Sequence, residues 1–166
     1  MYAIGDYIVH PGQGVCQVED VTSAPTAVYL LLPVGQRHAM HISFPVESEA
    51  RLRPVLSRED AEKILDSYEE LPLVSFSARN IALEEEHYKG AIRGGSCEDA
   101  VRIAKTFRAR IAGLIARGKK PPVAYDRIVK LAHERSCVEL AVALGRPIDD
   151  VKALVEARAE AVAKPA

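Results

Sequence analysis

The chain has 166 residues with a formal net charge of −1, and 48% of its residues are hydrophobic. This apolar fraction predicts one ordinary domain or two small ones, and it excludes a disordered chain. The cysteines Cys16, Cys97 and Cys137 are odd in number and far apart, so neither a disulfide framework nor a zinc knuckle is expected. The sequence shows no charged-then-apolar leader and no apolar run near ~20 residues, which favours a cytoplasmic protein with no membrane partner.

Residues 5 to 22 carry the first clear pattern. Two β-favouring runs, Tyr7–Val9 and Val15–Val21, flank a break that contains Pro11, Gly12 and Gly14. Glycine adopts positive φ angles without steric cost, so this stretch predicts a strand, a turn and a second strand. The second run alternates with a period of two, and its two predicted faces are Cys16, Val18 and Asp20, and Val15, Gln17, Glu19 and Val21.

Two further strands are predicted before residue 54. The run Ala27–Pro33 is continuous and β-favouring, and His38–Pro45 follows a turn at Gly35. Pro45 and Pro54 bracket the exit from the strands, because proline cannot donate to a ladder. Four or five short strands within roughly 50 residues predict a Tudor/SH3-like small β-barrel over residues 1–54.

Residues 55–166 change to a helical period and predict a compact bundle of about five α-helices, so the fold class is α+β. Ser57 and Asp60 form a capping-box-like start, and an apolar stripe at helical spacing follows from Ala61 to Tyr68. The predicted helices run from Ser57 to near Pro72, from Arg79 to Arg93, from a cap at Ser96 to about Arg117, from near Pro122 to Leu144 with closure at Gly145, and from Pro147 to about Arg158. Residues Ala161–Ala166 are expected to fray.

Charge is unevenly distributed along the chain. Residues 55–86 hold three basic and nine acidic side chains, whereas residues 102–135 hold ten Lys or Arg against Asp126 and Glu134. This uneven distribution suggests that an anionic partner binds only the basic part of the chain.

The predicted third helix carries basic residues beside its apolar face. Ile103, Phe107 and Ile111 share one side, and Arg102, Lys105, Arg110 and Arg117 lie away from it. Such an array suits phosphate contacts without base readout, although a solvated helix face is the simpler explanation. The candidate DNA-binding residues are Lys89, Arg93, Arg108, Arg110, Lys119, Lys120, Arg127 and Lys130.

Three consecutive acids, Glu84, Glu85 and Glu86, are interpreted as a solvated helix face. Consecutive side chains point in different directions around a helix, so they cannot form an acid–base pair or a metal site by themselves.

Catalytic and metal motifs are weak. His10, His38, His41 and Cys16 could form a transition-metal site, but the odd spacing of the two strand histidines places them on opposite faces. His87 and His133 are interpreted as ordinary helix residues, and no nucleophile elbow or phosphate loop is found. We therefore expect no enzymatic activity, no cofactor and no metal.

Several motifs in order carry a family resemblance. The stretches Gly5–Val15, Phe44–Val46, Leu52–Glu62, Tyr88–Lys89 and Glu139–Leu144 resemble the CarD/CdnL family of bacterial transcription regulators. The N-terminal module is also similar to the RNA-polymerase-interacting domain of the transcription-repair coupling factor.

The resemblance implies a two-part adaptor. In that family the Tudor-like domain adds its sheet to the edge of a lobe of the RNA polymerase β subunit. The helical domain contacts promoter DNA at the upstream edge of the bubble and favours the open complex. By position, the resemblance assigns the polymerase-facing strand to Met40, His41, Ile42, Ser43 and Phe44.

The sequence departs from the family pattern at two places. Many members carry a tryptophan wedge near the position of Tyr88, but this chain has no tryptophan and reads Ile81–His87 there. Arginines that some members use toward the polymerase have no counterpart, since their positions fall near Ala24 and Ser43. These departures move the expected DNA contacts to Arg108, Arg110, Lys119 and Lys120.

Three functional hypotheses follow. The first is a polymerase-binding transcription regulator with contact to the promoter DNA backbone, nucleoid-associated when bound to polymerase. The second keeps the adaptor but lets the helical domain dock a protein instead of DNA. The third and remotest is a metal-dependent enzyme or sensor that uses the His/Cys set.

Overall fold

The computed structural model describes residues 1–23 and 25–163. The chain divides after Ser57 into two compact units, a sheet unit and a helical unit. Ala24 and residues 164–166 lie outside the described residues. The family's polymerase-side position near Ala24 and the last part of the predicted frayed segment fall there.

The sheet unit is one antiparallel sheet of five strands. The strands are β1 (Tyr7–His10), β2 (Gly14–Thr22), β3 (Val28–Pro33), β4 (Ile42–Pro45) and β5 (Arg53–Pro54). Their spatial order is β4-β3-β2-β1-β5. The predicted α+β class and small β module are confirmed, but β4 and β5 are both edges, so the sheet is open and the term barrel applies only loosely.

A β-bulge alters the predicted alternation of β2. Cys16 and Val18 are fully buried, as the pattern requires, but the register with β3 shifts between Val18 and Asp20. One extra residue at the bulge reverses the faces beyond it. Val21 therefore packs against the core instead of Asp20, which is exposed.

The predicted strand His38–Pro45 is too long. β4 begins only at Ile42, and a 3₁₀ turn over Val46–Arg51 follows it. This turn is tied to the sheet because the buried Tyr29 hydroxyl donates to Glu49 Oε2 at 2.6 Å.

Five α-helices make up the described part of the helical unit. They are α1 (Arg58–Asp66), α2 (Ile81–Gly94), α3 (Cys97–Ala116), α4 (Val123–Leu144) and α5 (Ile148–Ala163). Ser96 forms the full capping box with Asp99, and Gly145 adopts φ 65° at the C-cap of α4. Tyr68, the last residue of the predicted first stripe, lies in a separate 3₁₀ turn. Helix α5 runs further than predicted and includes Ala161.

The core of the helical unit lies between α2, α3 and α4. Tyr88, Phe107 and Ile128 are almost fully buried there, and the Tyr88 and Phe107 rings meet edge to face at 4.8 Å between centroids. None of the helices described is long and apolar enough to span a bilayer.

Candidate functional site

The open edge of the sheet lies along β4. In the part of the chain that the structure describes, this strand pairs with β3 alone, with Phe44 opposite Tyr29 and Ser43 opposite Leu30. The Val46 N–H donates to Ala27 O at 3.0 Å, which continues the same register. Because hydrogen-bonded and non-bonded pairs alternate in an antiparallel ladder, the backbone N–H and C=O of Ser43 face away from β3.

Pro45 occupies the next outward-facing position. Proline has no N–H, so this residue offers only its carbonyl to a partner. The edge therefore presents one donor, from Ser43, and two acceptors, from Ser43 and Pro45.

Side chains beside the edge leave it accessible. Phe44 and Ile42 turn inward, whereas Ser43 is exposed. Met40, 80% exposed, and His41 precede β4 instead of lying within it, which corrects the predicted strand. His41 is held beside the sheet by Glu19, with Nε2 and Oε2 3.1 Å apart.

The histidines of the sheet unit have separate roles. His10 Nδ1 accepts hydrogen bonds from the N–H groups of Gly12 and Gln13, at 3.0 and 3.2 Å, and so closes the turn between β1 and β2. Cys16 is buried, and His38 is exposed. Within residues 1–23 and 25–163, no group of three or more His, Cys, Asp or Glu side chains is arranged to hold a metal ion.

In the helical unit, Arg110 is bound internally. Its Nη1 lies 2.6 Å from Glu84 Oε1, and its Nη2 donates to Phe76 O at 3.0 Å. The guanidinium also lies over the Phe107 ring, 4.6 Å from the centroid. Glu84 is only 3% exposed and also accepts from the Ala78 N–H.

Arg127 and Lys89 both pair with Glu85. Arg127 binds this carboxylate through two bonds of 2.7 and 3.0 Å, and Lys89 Nζ lies 3.8 Å away. Hydrogen bonds from Arg127, followed by the attraction of both cations, hold the pKa of Glu85 below its usual range.

The interpretation of Glu84–Glu86 as a solvated face is therefore wrong for two of the three acids. Only Glu86 is exposed to solvent. The burial of Glu84 could have been predicted from helical spacing, because Glu84, Tyr88 and Ile92 lie four residues apart and form the buried side of α2.

Arg108 lies within a polar chain that joins α3, α4 and α5. Its Nη2 is 3.0 Å from His133 Nδ1, and its Nη1 donates to the Tyr68 hydroxyl at 3.4 Å. His133 Nε2 in turn lies 3.3 Å from Glu156 Oε1. Burial, and then the positive charge of Arg108, lower the pKa of His133. Beside it, burial raises the pKa of the Cys137 thiol to about 11.

Lys105 is buried, although its position off the apolar stripe predicted exposure. Its Nζ donates to the carbonyls of Tyr68, Glu69 and Leu71, each at 2.8 Å. These bonds satisfy all three donors of the ammonium group. Desolvation by burial lowers the pKa of Lys105.

Four of the eight predicted DNA-binding residues remain available. Arg93, Lys119, Lys120 and Lys130 are exposed and make no ion pair with any described residue. Lys119 and Lys120 follow the turn at Gly118, whose φ of +70° ends α3. DNA contact stays a prediction for all eight residues.

The sheet unit has the features of a protein-docking module, namely a small antiparallel sheet with an accessible edge strand. Residues 2–56 match the model of the CarD-like/TRCF RID domain, so this unit is similar to that domain. The resemblance drawn from the sequence is confirmed for this N-terminal stretch, which supports a transcription-related protein that interacts with RNA polymerase. No curated protein matches the chain.

Proposed function

We propose that the protein is a non-enzymatic transcription regulator that binds the RNA polymerase β subunit through the β4 edge and modulates promoter open-complex formation. The observation that carries the proposal is an open edge strand in a unit that matches the CarD-like/TRCF RID domain. Domains of this family interact with the polymerase β subunit in general.

The geometry of β4 supports strand addition. A partner strand that pairs with Ser43 would gain main-chain hydrogen bonds without requiring particular side chains. Such pairing would not need the arginines that some family members use toward the polymerase, because the backbone would supply the contacts.

A matched pair of substitutions tests this mode of binding. Ser43→Pro removes the outward N–H but no hydrogen bond to β3, whereas Ser43→Ala removes only the hydroxyl. We expect Ser43→Pro to weaken binding of the full chain to a purified β-subunit fragment about tenfold or more. The reason is that the proline removes one main-chain hydrogen bond to the partner strand and disturbs the bonds beside it. Ser43→Ala should bind like the unaltered protein, and circular dichroism checks that both variants are folded.

Two results would contradict docking at β4. One is equal affinity of the proline and alanine variants in a biolayer interferometry titration. The other is failure of the full chain to bind any β-subunit fragment, which would remove the polymerase proposal altogether.

For the helical unit, we propose non-sequence-specific contact with the promoter DNA backbone through Lys119, Lys120, Lys130 and Arg93. Each lysine or arginine that neutralises a phosphate contributes about −0.9 to the slope of log K against log salt. Replacing both Lys119 and Lys120 by glutamine should therefore make the slope shallower by about 1.8. Arg146→Gln, at an exposed cation outside this set, is the control and should change the slope little.

The alternative is a helical unit that docks a protein. It is favoured by the ion pairs of Arg110 and Arg127 and by the partly buried position of Arg108, which leave fewer exposed cations for phosphates than the sequence suggests. Weak DNA binding that is the same at about 50 and 200 mM salt would support protein docking, since a multi-phosphate contact loses orders of magnitude over this range. The lifetime of the open complex with purified polymerase, measured for the unaltered protein and Lys119→Glu/Lys120→Glu, tests the regulatory role.

A further inference from the structure

The helical unit contains a cleft of about 820 Å³ that the proposed function does not use. It is bounded by the segment between α1 and α2, by α3 and by the second half of α5. Its apolar lining includes Leu71, Leu73, Ala109, Ala112, Ala159 and Val162.

Apolar surface in this cleft is left open to solvent. Leu73 is 51% exposed and Val162 is 40% exposed, although both are large aliphatic side chains. The alanines of α3 and α5 are small, so they leave room between the two helices. Ligand sites of this size are commonly apolar with a few polar groups that fix orientation.

Arg108 supplies the polar group. It lines the cleft, is half-buried, and makes no ion pair with a carboxylate in the described part of the chain. Its hydrogen-bond partners are the hydroxyl of Tyr68 and Nδ1 of His133, and neither carries a negative charge. A guanidinium has five N–H donors, so most of those on Arg108 are left for a ligand.

Lys105 also lines the cleft but is not available. Its three donors are already bonded to backbone carbonyls. Arg108 is therefore the cation in the cleft that can bind an incoming anion directly.

Acidic side chains at the cleft are more exposed than Arg108. Glu69 and Glu160 are exposed to solvent, and Glu156 is engaged with His133. Water and salt screen exposed charges strongly, whereas a half-buried charge against apolar walls is screened less. The electrostatic preference inside the cleft is therefore set by Arg108.

We propose that this cleft binds a small amphipathic carboxylate, with its apolar body against the alanine and leucine walls and its carboxylate on Arg108. A planar guanidinium can hold a carboxylate by two parallel N–H···O bonds, which fixes the orientation of the ligand. The remainder of the ligand gains affinity by covering apolar surface that is now exposed.

The test uses octanoate and decanoate, below their micelle concentrations, titrated into the full chain by isothermal calorimetry and amide NMR. We expect saturable binding that is tighter for decanoate, with shifts confined to the cleft. Arg108→Gln should weaken decanoate binding at least tenfold. Arg146→Gln, at an exposed cation outside the cleft, should leave decanoate binding unchanged.

A second variant guards against a folding defect in Arg108→Gln. Ala159→Leu fills the cleft from α5, on a different helix from Arg108, and it should abolish decanoate binding while the melting temperature is maintained. Unchanged binding by this variant would overturn the proposal.

The charge of the head group separates the carboxylate from other occupants. Decanol, which is neutral, should bind at least tenfold more weakly than decanoate. Tighter binding of decylammonium would overturn the proposal and point to the exposed acids and a cationic protein segment instead. Absence of saturable decanoate binding to the unaltered chain would overturn it as well.

Discussion

The sheet unit and the helical unit present polar groups to partners in opposite ways. Along β4 the groups belong to the backbone, and the topology of the sheet leaves them outward because no strand formed by the described residues lies beyond β4. In the helical unit the groups are charged side chains, and contacts between helices engage many of them. Arg110 and Arg127, for example, belong to internal ion pairs with Glu84 and Glu85.

This difference shows that a count of basic residues overstates a binding surface. Ten Lys or Arg lie within residues 102–135, but several of them, including the buried Lys105, stabilise the fold. An open strand edge is a firmer indication of docking, because its backbone groups have no alternative partner within the strand itself. Three changes test whether these charges are structural.

The largest effect is expected for Glu84→Ala. The substitution leaves the Arg110 charge without its carboxylate in a mostly buried setting, which should destabilise the helical unit by about 3–5 kcal/mol. Denaturant unfolding followed at 222 nm measures this, because the helical unit dominates that signal. Glu86→Ala, at the exposed neighbour, should cost less than about 0.5 kcal/mol. Equal losses in the two variants would show that the pair is not structural.

A smaller loss, about 2–3 kcal/mol, is expected for Lys105→Met. Methionine retains the apolar stem but leaves the carbonyls of Tyr68, Glu69 and Leu71 without their shared donor. The same unfolding experiment applies, with Lys63→Met on the exposed face of α1 as the control. If Lys105→Met is as stable as that control, the three bonds do not contribute to the stability of the unit.

The smallest effect is a pH dependence that originates at Glu85. Its folded-state pKa is below its unfolded value near 4.5, so the Arg127 pair stabilises fully above that value and is lost as the pH falls through the lower folded pKa. The stability difference between the unaltered protein and Glu85→Gln should therefore be largest above about pH 5 and shrink in more acidic solution.

The Arg127→Gln background provides the control for this pH effect. In this background, the loss of stability caused by Glu85→Gln should depend much less on pH, because the principal partner of Glu85 is absent. A pH dependence of the same size in both backgrounds would assign it to other groups.

Features set by neighbouring residues were predictable from the sequence. The capping box at Ser96 and the helix end at Gly145 follow from local hydrogen bonding and from the freedom of glycine at positive φ. The order of strands and helices followed from periodicity in the same way. The motif Gly5–Val15 also led to the correct domain family.

Features set by tertiary pairing were not predictable in this way. The bulge in β2 depends on how β3 aligns with it, and the short β4 depends on where that pairing ends. Lys105 lies off the apolar stripe of α3, but the segment around Tyr68 covers that side of the helix and provides its acceptors. The hydrophobic periodicity of a helix identifies the face that packs on the core. It does not show that another segment of the chain covers a different face of the same helix.

The proline at position 45 has a consequence for self-association. Two copies of β4 placed side by side would each offer more acceptors than donors, because Pro45 contributes a carbonyl but no N–H. A homotypic ladder of two β4 strands would therefore leave one carbonyl of each copy without a donor from the other β4, whereas a foreign strand with donors at both positions would not. The edge is chemically asymmetric, and it favours pairing with a different chain over pairing with a copy of itself.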